Sequence, residues 1–220
     1  MSDRDSFIDE VSEEVRRDQM YALWRRWGPY VIGGIVVIVA LAGGKAWMDA
    51  QAVQEARQAG AAMIAASEIA PTEAAEALTT LAEQTGNEGA AVLARLRAAG
   101  AFAADGRWEE AAKAYEIVAE DGAADPILRD FAAFRAVMER ASGMEPMAQA
   151  EALTPITDGN GAFRLLALEA KGAALLAAGD REAAADALRA VAADEAAPQG
   201  LRQRVEAVLT AIGAAEEATG

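Results

Sequence analysis

Eighteen consecutive residues, WGPYVIGGIVVIVALAGG from Trp27 to Gly44, carry no charge. A helix of that length spans about 27 Å, close to the hydrocarbon thickness of a bilayer. Ile32, Ile35, Val36, Val37, Ile38, Val39 and Leu41 leave it no polar face, which a surface helix of a soluble domain would need. Trp24, Trp27 and Tyr30 stand at one end and Trp47 at the other, in the manner of an aromatic belt. Arg25 and Arg26 lie at the first boundary, and Pro29 falls near the start, where a missing N–H does least harm. The expected membrane-interface residues are therefore Trp24, Arg25, Arg26, Trp27, Tyr30 and Trp47.

Basic residues orient the span. Arg16, Arg17, Arg25 and Arg26 precede it closely, whereas only Lys45 and Arg57 follow nearby. That asymmetry places the N-terminus in the cytoplasm and the larger part of the chain on the far side, which is the periplasm if the cell is a Gram-negative bacterium. The rival reading is a signal peptide cleaved after Ala40-Leu41-Ala42. The 26 residues that precede the run contain seven acids, whereas signal n-regions are short and basic. Within this head, Phe7, Ile8, Val11 and Val15 recur at helical spacing and Ser6 is a candidate cap. The expected organisation is a cytoplasmic head over 1–26, a transmembrane helix over 27–47, a periplasmic helical domain over 48–216 and a disordered tail over 217–220.

Composition then removes most chemistry. The 220 residues include no cysteine and no histidine, so disulfides, thiol nucleophiles and Ser-His-Asp triads are excluded. The net charge of −15 argues against nucleic acid, whose phosphates need clustered Lys and Arg. Acidic pairs such as Glu109-Glu110 are neighbours in sequence, do not face each other on a helix, and read as helix-start charges rather than metal ligands. No catalytic, cofactor or metal residue is expected, and no small-molecule substrate. Alanine supplies 59 residues, which favours closely packed helices.

Beyond position 100 a period emerges. The turn glycines Gly106, Gly143 and Gly179 lie 37 and 36 residues apart, and AFAADGRWEEAAKAYEIV (101–118) resembles ALLAAGDREAAADALRAV (174–191). Each reads as helix, Gly-containing turn, then a second helix opened by acids, the layout of a tetratricopeptide (TPR) hairpin. In this register the small residue at the helix crossing is Ala75, Ala111, Ala148 and Ala184, and a second small position is Met63, Ala99, Ala136 and Gly172. Pro155 shortens the second helix of the third hairpin. Helices are expected near 46–68, 71–85, 88–104, 107–121, 126–142, 145–154, 162–178, 181–194 and 198–216. The fold class is all-α: one N-terminal membrane helix, then a short TPR-like solenoid closed by a C-terminal capping helix.

A solenoid binds with the concave face formed by its first helices. Helical spacing assigns Leu93, Leu96, Asp130, Val137, Arg140, Leu166, Glu169 and Leu176 to that face as partner-binding residues. The competing reading packs the same residues against neighbouring hairpins. Ala103 is also assigned to the open groove. Gly44 and Ala40, on one helix face, are a candidate intramembrane contact.

The combined layout resembles the YfgM-like family, ancillary subunits of the Sec translocon. The resemblance rests on a short acidic head, a single span ending in Gly-Gly-Lys-Ala-Trp (43–47), a linker helix MDAQAVQEARQAGAAM (48–63), degenerate TPR hairpins, and the segment LEAKGAALLAAGDREAAADAL (168–188) before a Pro-bearing break and a terminal helix. It implies a bitopic inner-membrane protein, non-enzymatic and without cofactors. The partners it implies are translocon subunits and periplasmic folding factors of the chaperone network. Assembly or coordination of another envelope complex, in division or respiration, is the alternative that sequence leaves open.

Overall fold

The computed structural model describes residues 3–66 and 68–213, with side chains from residue 24 onward apart from position 31. The Ser6 cap, the apolar face of the head and the tail over 217–220 lie outside the residues or side chains described. Every regular element among the described residues is helical. The chain divides into two compact units, Met1–Gln54 and Glu55–Gly220.

The first helix, α1, runs Asp3–Ala66 and includes Pro29. Its apolar stretch is long enough and apolar enough to cross a membrane, and it lies near the N-terminus, where signal sequences also fall. From Ile32 to Ala50 every residue is exposed, so no contact among the described residues accounts for the run of valine and isoleucine.

In the second unit the helices follow the punctuation in the sequence. They are α2 (Pro71–Gln84), α3 (Glu88–Ala104), α4 (Trp108–Glu120), α5 (Pro126–Arg140), α6 (Pro146–Ala152), α7 (Thr154–Thr157), α8 (Arg164–Ala178), α9 (Arg181–Ala192) and α10 (Gln199–Ala211). Prolines open α2, α5 and α6, where their fixed φ suits the first turn. Asn87, Asp125 and Asp180 cap α3, α5 and α9 by accepting a backbone N–H. Gly106 and Gly179 reverse the chain with φ of +76° and +86°, a region closed to most side chains.

Small residues then let the hairpins close. Ala75, Ala111 and Ala184 are fully buried, and Met63, Ala99, Ala136 and Gly172 are buried as the repeat register requires. At Gly172 the fit is close: a Cβ there would stand 2.8 Å from the Leu188 side chain. The last helix caps the array, burying Leu201, Val205 and Leu209 in one cluster with Leu168, Leu188 and Val191.

The third hairpin departs from the register. Ala148 is exposed, and Ala150 and Leu153 are buried instead. The cause lies in the turn. Gly143 closes a 3-10 extension of α5, Ala141–Gly143, without adopting a positive φ. Met144 is extended, and Pro146 then starts α6 one residue later than in the sibling hairpins. As expected from Pro155, the second helix is short: α6 ends at Ala152 and only the single turn α7 follows. Ala103, expected on the open groove, is buried in the cluster with Leu78, Ala98, Phe102 and Ala111. Its face of α3 is taken up by the helices on either side.

Candidate functional site

The surface of the second unit, which carries the helical hairpins, is the place to look for a site. Among the described residues no group of three or more metal-ligating side chains converges. The eight residues assigned to the concave face fall into three environments.

Leu93 on α3 and Leu166 on α8 are 49% and 37% exposed and offer apolar surface to solvent. Leu96 and Leu176 are half-buried and pack against the clusters beneath them, and Val137 is half-buried as well. The three charged residues already have intramolecular partners. Asp130 accepts a hydrogen bond from the Ala162 backbone N–H at 3.0 Å. Glu169 takes both Arg204 Nε and an Arg204 terminal nitrogen, at 2.8 and 2.9 Å. Arg140 donates through Nε to Glu109 at 2.8 Å and through its terminal nitrogens to Glu116. Hydrogen bonding from Arg140 holds the Glu116 carboxyl below the usual carboxylate range, and the same pairing raises the Arg140 guanidinium. Two apolar positions thus stay open to a partner, while Arg140 and Glu169 fix helix against helix and Asp130 holds the segment before α8.

The expected membrane-interface residues all lie on α1. Trp24, Arg25, Arg26, Trp27, Tyr30 and Trp47 are exposed, with the Trp27 and Tyr30 rings 6.1 Å apart and tilted. Bare indoles beside arginines suit a headgroup region, where an aromatic body meets a polar edge.

A third feature was not among the expected sites. The turn after α3 and the C-terminus of α5 border a cleft of about 550 Å³, with Trp108, Met144, Arg107 and Arg140 on its walls. Trp108 is 48% exposed although it opens a helix in the middle of the array. Arg107 lies 4.5 Å from the Phe102 ring centroid and donates to Glu76 at 2.9 Å and Glu110 at 3.1 Å. The signal in sequence was the tetrad Asp105-Gly106-Arg107-Trp108: a tryptophan placed directly after a turn glycine has little core to enter.

Helical hairpins with small residues at their crossings, stacked side by side and closed by a cap, define a repeat scaffold built for protein contact. The tetratricopeptide repeat-like domain family matches residues 22–214. The chain belongs to that family, and the match includes the apolar stretch of α1 as well as the hairpins. Neither the curated proteins nor the solved structures yield a match.

Proposed function

We propose that this protein is a non-enzymatic, membrane-anchored scaffold whose hairpin domain stands in the periplasm of a bacterium. We further infer that it serves the Sec translocon and the periplasmic chaperone network, as the YfgM-like resemblance implies. The carrying observation is the bare stretch from Ile32 to Ala50, wholly exposed in a chain whose remaining helices form a repeat domain. Exposed apolar surface on that scale belongs in a bilayer rather than in water. In this reading residues 1–26 form the cytoplasmic head, 27–47 the anchor and 48–216 the periplasmic domain. The basic residues Arg16, Arg17, Arg25 and Arg26 set the orientation. Leu93 and Leu166, with Leu96, Val137 and Leu176 beneath, supply the apolar contact for translocon subunits or exported polypeptide. TPR-like domains are typically non-catalytic scaffolds, which supports a binding role over turnover.

Two experiments test this. Protease added to spheroplasts is expected to digest the hairpin domain and spare the head; a protected hairpin domain would reverse the orientation. A photo-crosslinker at position 93 or 166 is expected to recover translocon subunits or folding factors. Recovery of division or respiratory subunits instead would favour the alternative role, coordination of another envelope complex.

A further inference from the structure

We propose that the cleft between the α3–α4 turn and the C-terminus of α5 is a docking site for a helical segment of a partner protein, one that carries an apolar side chain flanked by lysine or arginine. The proposal rests on the scaffold reading and adds a second surface to it, at the hairpin tips.

The cleft exists because a helix is missing from it. The helix α4 packs on both α3 and α5, as the second helix of a regular hairpin does. The corresponding helix of the third hairpin, α6, packs on α8 and meets α5 marginally at most. The C-terminal end of α5 beside the start of α4 is covered only by the 3-10 turn and α7 rather than by a full second helix, and the cleft opens there. A helix is the element that a regular array would place against this end of α5.

Its walls specify the occupant. Trp108 and Met144 provide an aromatic face and an adaptable thioether. Tryptophan is the side chain most enriched at the energetic centres of protein interfaces, and Trp108 is the sole tryptophan between residues 48 and 220. Around it the charge is unbalanced. Arg107 is shared by Glu76 and Glu110, Arg140 by Glu109 and Glu116, and Lys113 adds a further positive charge near Glu110 and Glu116, so three cations serve four carboxylates. Glu76 and Glu109 are the more exposed of these carboxylates, with side chains 63% and 64% accessible. A lysine or arginine entering here meets spare carboxylate oxygens and an indole face on which a cation is favourable. A second copy of this chain, with a net charge of −15, is the wrong sign.

The test uses the full chain in nanodiscs of zwitterionic lipid, with empty nanodiscs as the blank. The probes are fluorescein-labelled amphipathic helical peptides built from Leu with Lys, Leu with Gln and Leu with Glu, read by anisotropy. The Leu/Lys peptide is expected to bind in a salt-sensitive manner, and Trp108→Ala is expected to weaken it about tenfold or more. Glu109→Gln should weaken it less, and Glu206→Gln, on α10, should leave it unchanged. Helicity by circular dichroism checks that each variant is folded, and Met144→Ala gives a second, milder probe of the same wall. Equal binding of all three peptides, an unchanged affinity in both Trp108→Ala and Met144→Ala, or an equal loss in Glu206→Gln would each overturn the proposal. Crosslinking from positions 93 and 166 is independent of this cleft, so its persistence would leave the scaffold reading standing while the docking site fell.

Discussion

The hairpin domain is two half-solenoids of different construction. In the first, from the end of α1 to α5, two buried clusters run from Ala59 to Ala111 and from Val92 to Ala136, with Ala114 packed against both. In the second, α6 to α10, clusters around Leu175 and Leu188 meet at Leu176 and end under the cap. No buried apolar cluster among the described residues joins α5 to α6. What crosses instead is the segment before α8. Phe163 lies 5.6 Å from Phe131 and 6.1 Å from Phe134, the Tyr115 ring meets Phe131 edge-on, and Asp130 holds the Ala162 N–H. In a repeat array each hairpin is stabilised chiefly by its neighbours, so one degenerate hairpin weakens coupling without unfolding either side. The degenerate third hairpin divides the array, and the same lapse opens the cleft beside Trp108.

The largest effect should come from the second half. Leu153 is fully buried at the junction of α6 and α7, and Leu153→Ala should cost about 2–5 kcal/mol. Thermal unfolding followed region by region should show α6–α10 melting earlier and α2–α4 unchanged. Next come the crossings. Ala111→Leu and Ala184→Leu each overpack a fully buried site and should cost about 1–3 kcal/mol, each within its own half. Ala103→Leu should now destabilise too, whereas the exposed Ala148→Leu should shift stability by no more than about 0.5 kcal/mol. Indifference at both Ala111 and Ala184 would contradict the packing described.

Smaller again is Phe163→Ala. It removes two ring contacts, each worth about 0.5–1.5 kcal/mol beyond area, and its signature is wider separation of the two unfolding steps. Acid gives the smallest difference. Hydrogen bonds from Arg107 and Arg140 hold the Glu110 and Glu116 carboxyls below their ordinary value. A depressed carboxylate stabilises the fold above its unfolded pKa and loses that contribution as pH falls through the folded one. The first half should therefore lose stability modestly as pH drops below the ordinary carboxylate range, and Glu116→Gln should flatten that dependence. Glu110 is exposed and Glu116 half-buried, so the effect is screened by salt.

Much of this fold was legible because local chemistry marked it. Prolines at 71, 126 and 146, capping Asp and Asn, and glycines at 106 and 179 set the helix ends within a few residues of those observed. The crossings were legible where the turn obeyed the period. They slipped at Ala148 because Gly143 ends a 3-10 extension rather than a left-handed turn, a distinction the residue name does not carry. The interaction surface was less legible. Helical periodicity says which way a side chain points, not which distant residue meets it. Glu169 finds Arg204, and Arg140 finds Glu109 and Glu116, across separations of 35, 31 and 24 residues. The tetrad around Gly106 marks an exposed Trp108, but the cleft beside it was not legible for a related reason: it depends on a helix that packs elsewhere.

Native-state hydrogen exchange of the full chain, with amide protection followed helix by helix in mild denaturant, tests the division of the array most directly. If the third hairpin is the joint, α5 opens with α2–α4 and α6 opens with α8–α10, at different denaturant concentrations. A single opening that carries α5 and α6 together would contradict it, and would make the hairpin domain one cooperative unit.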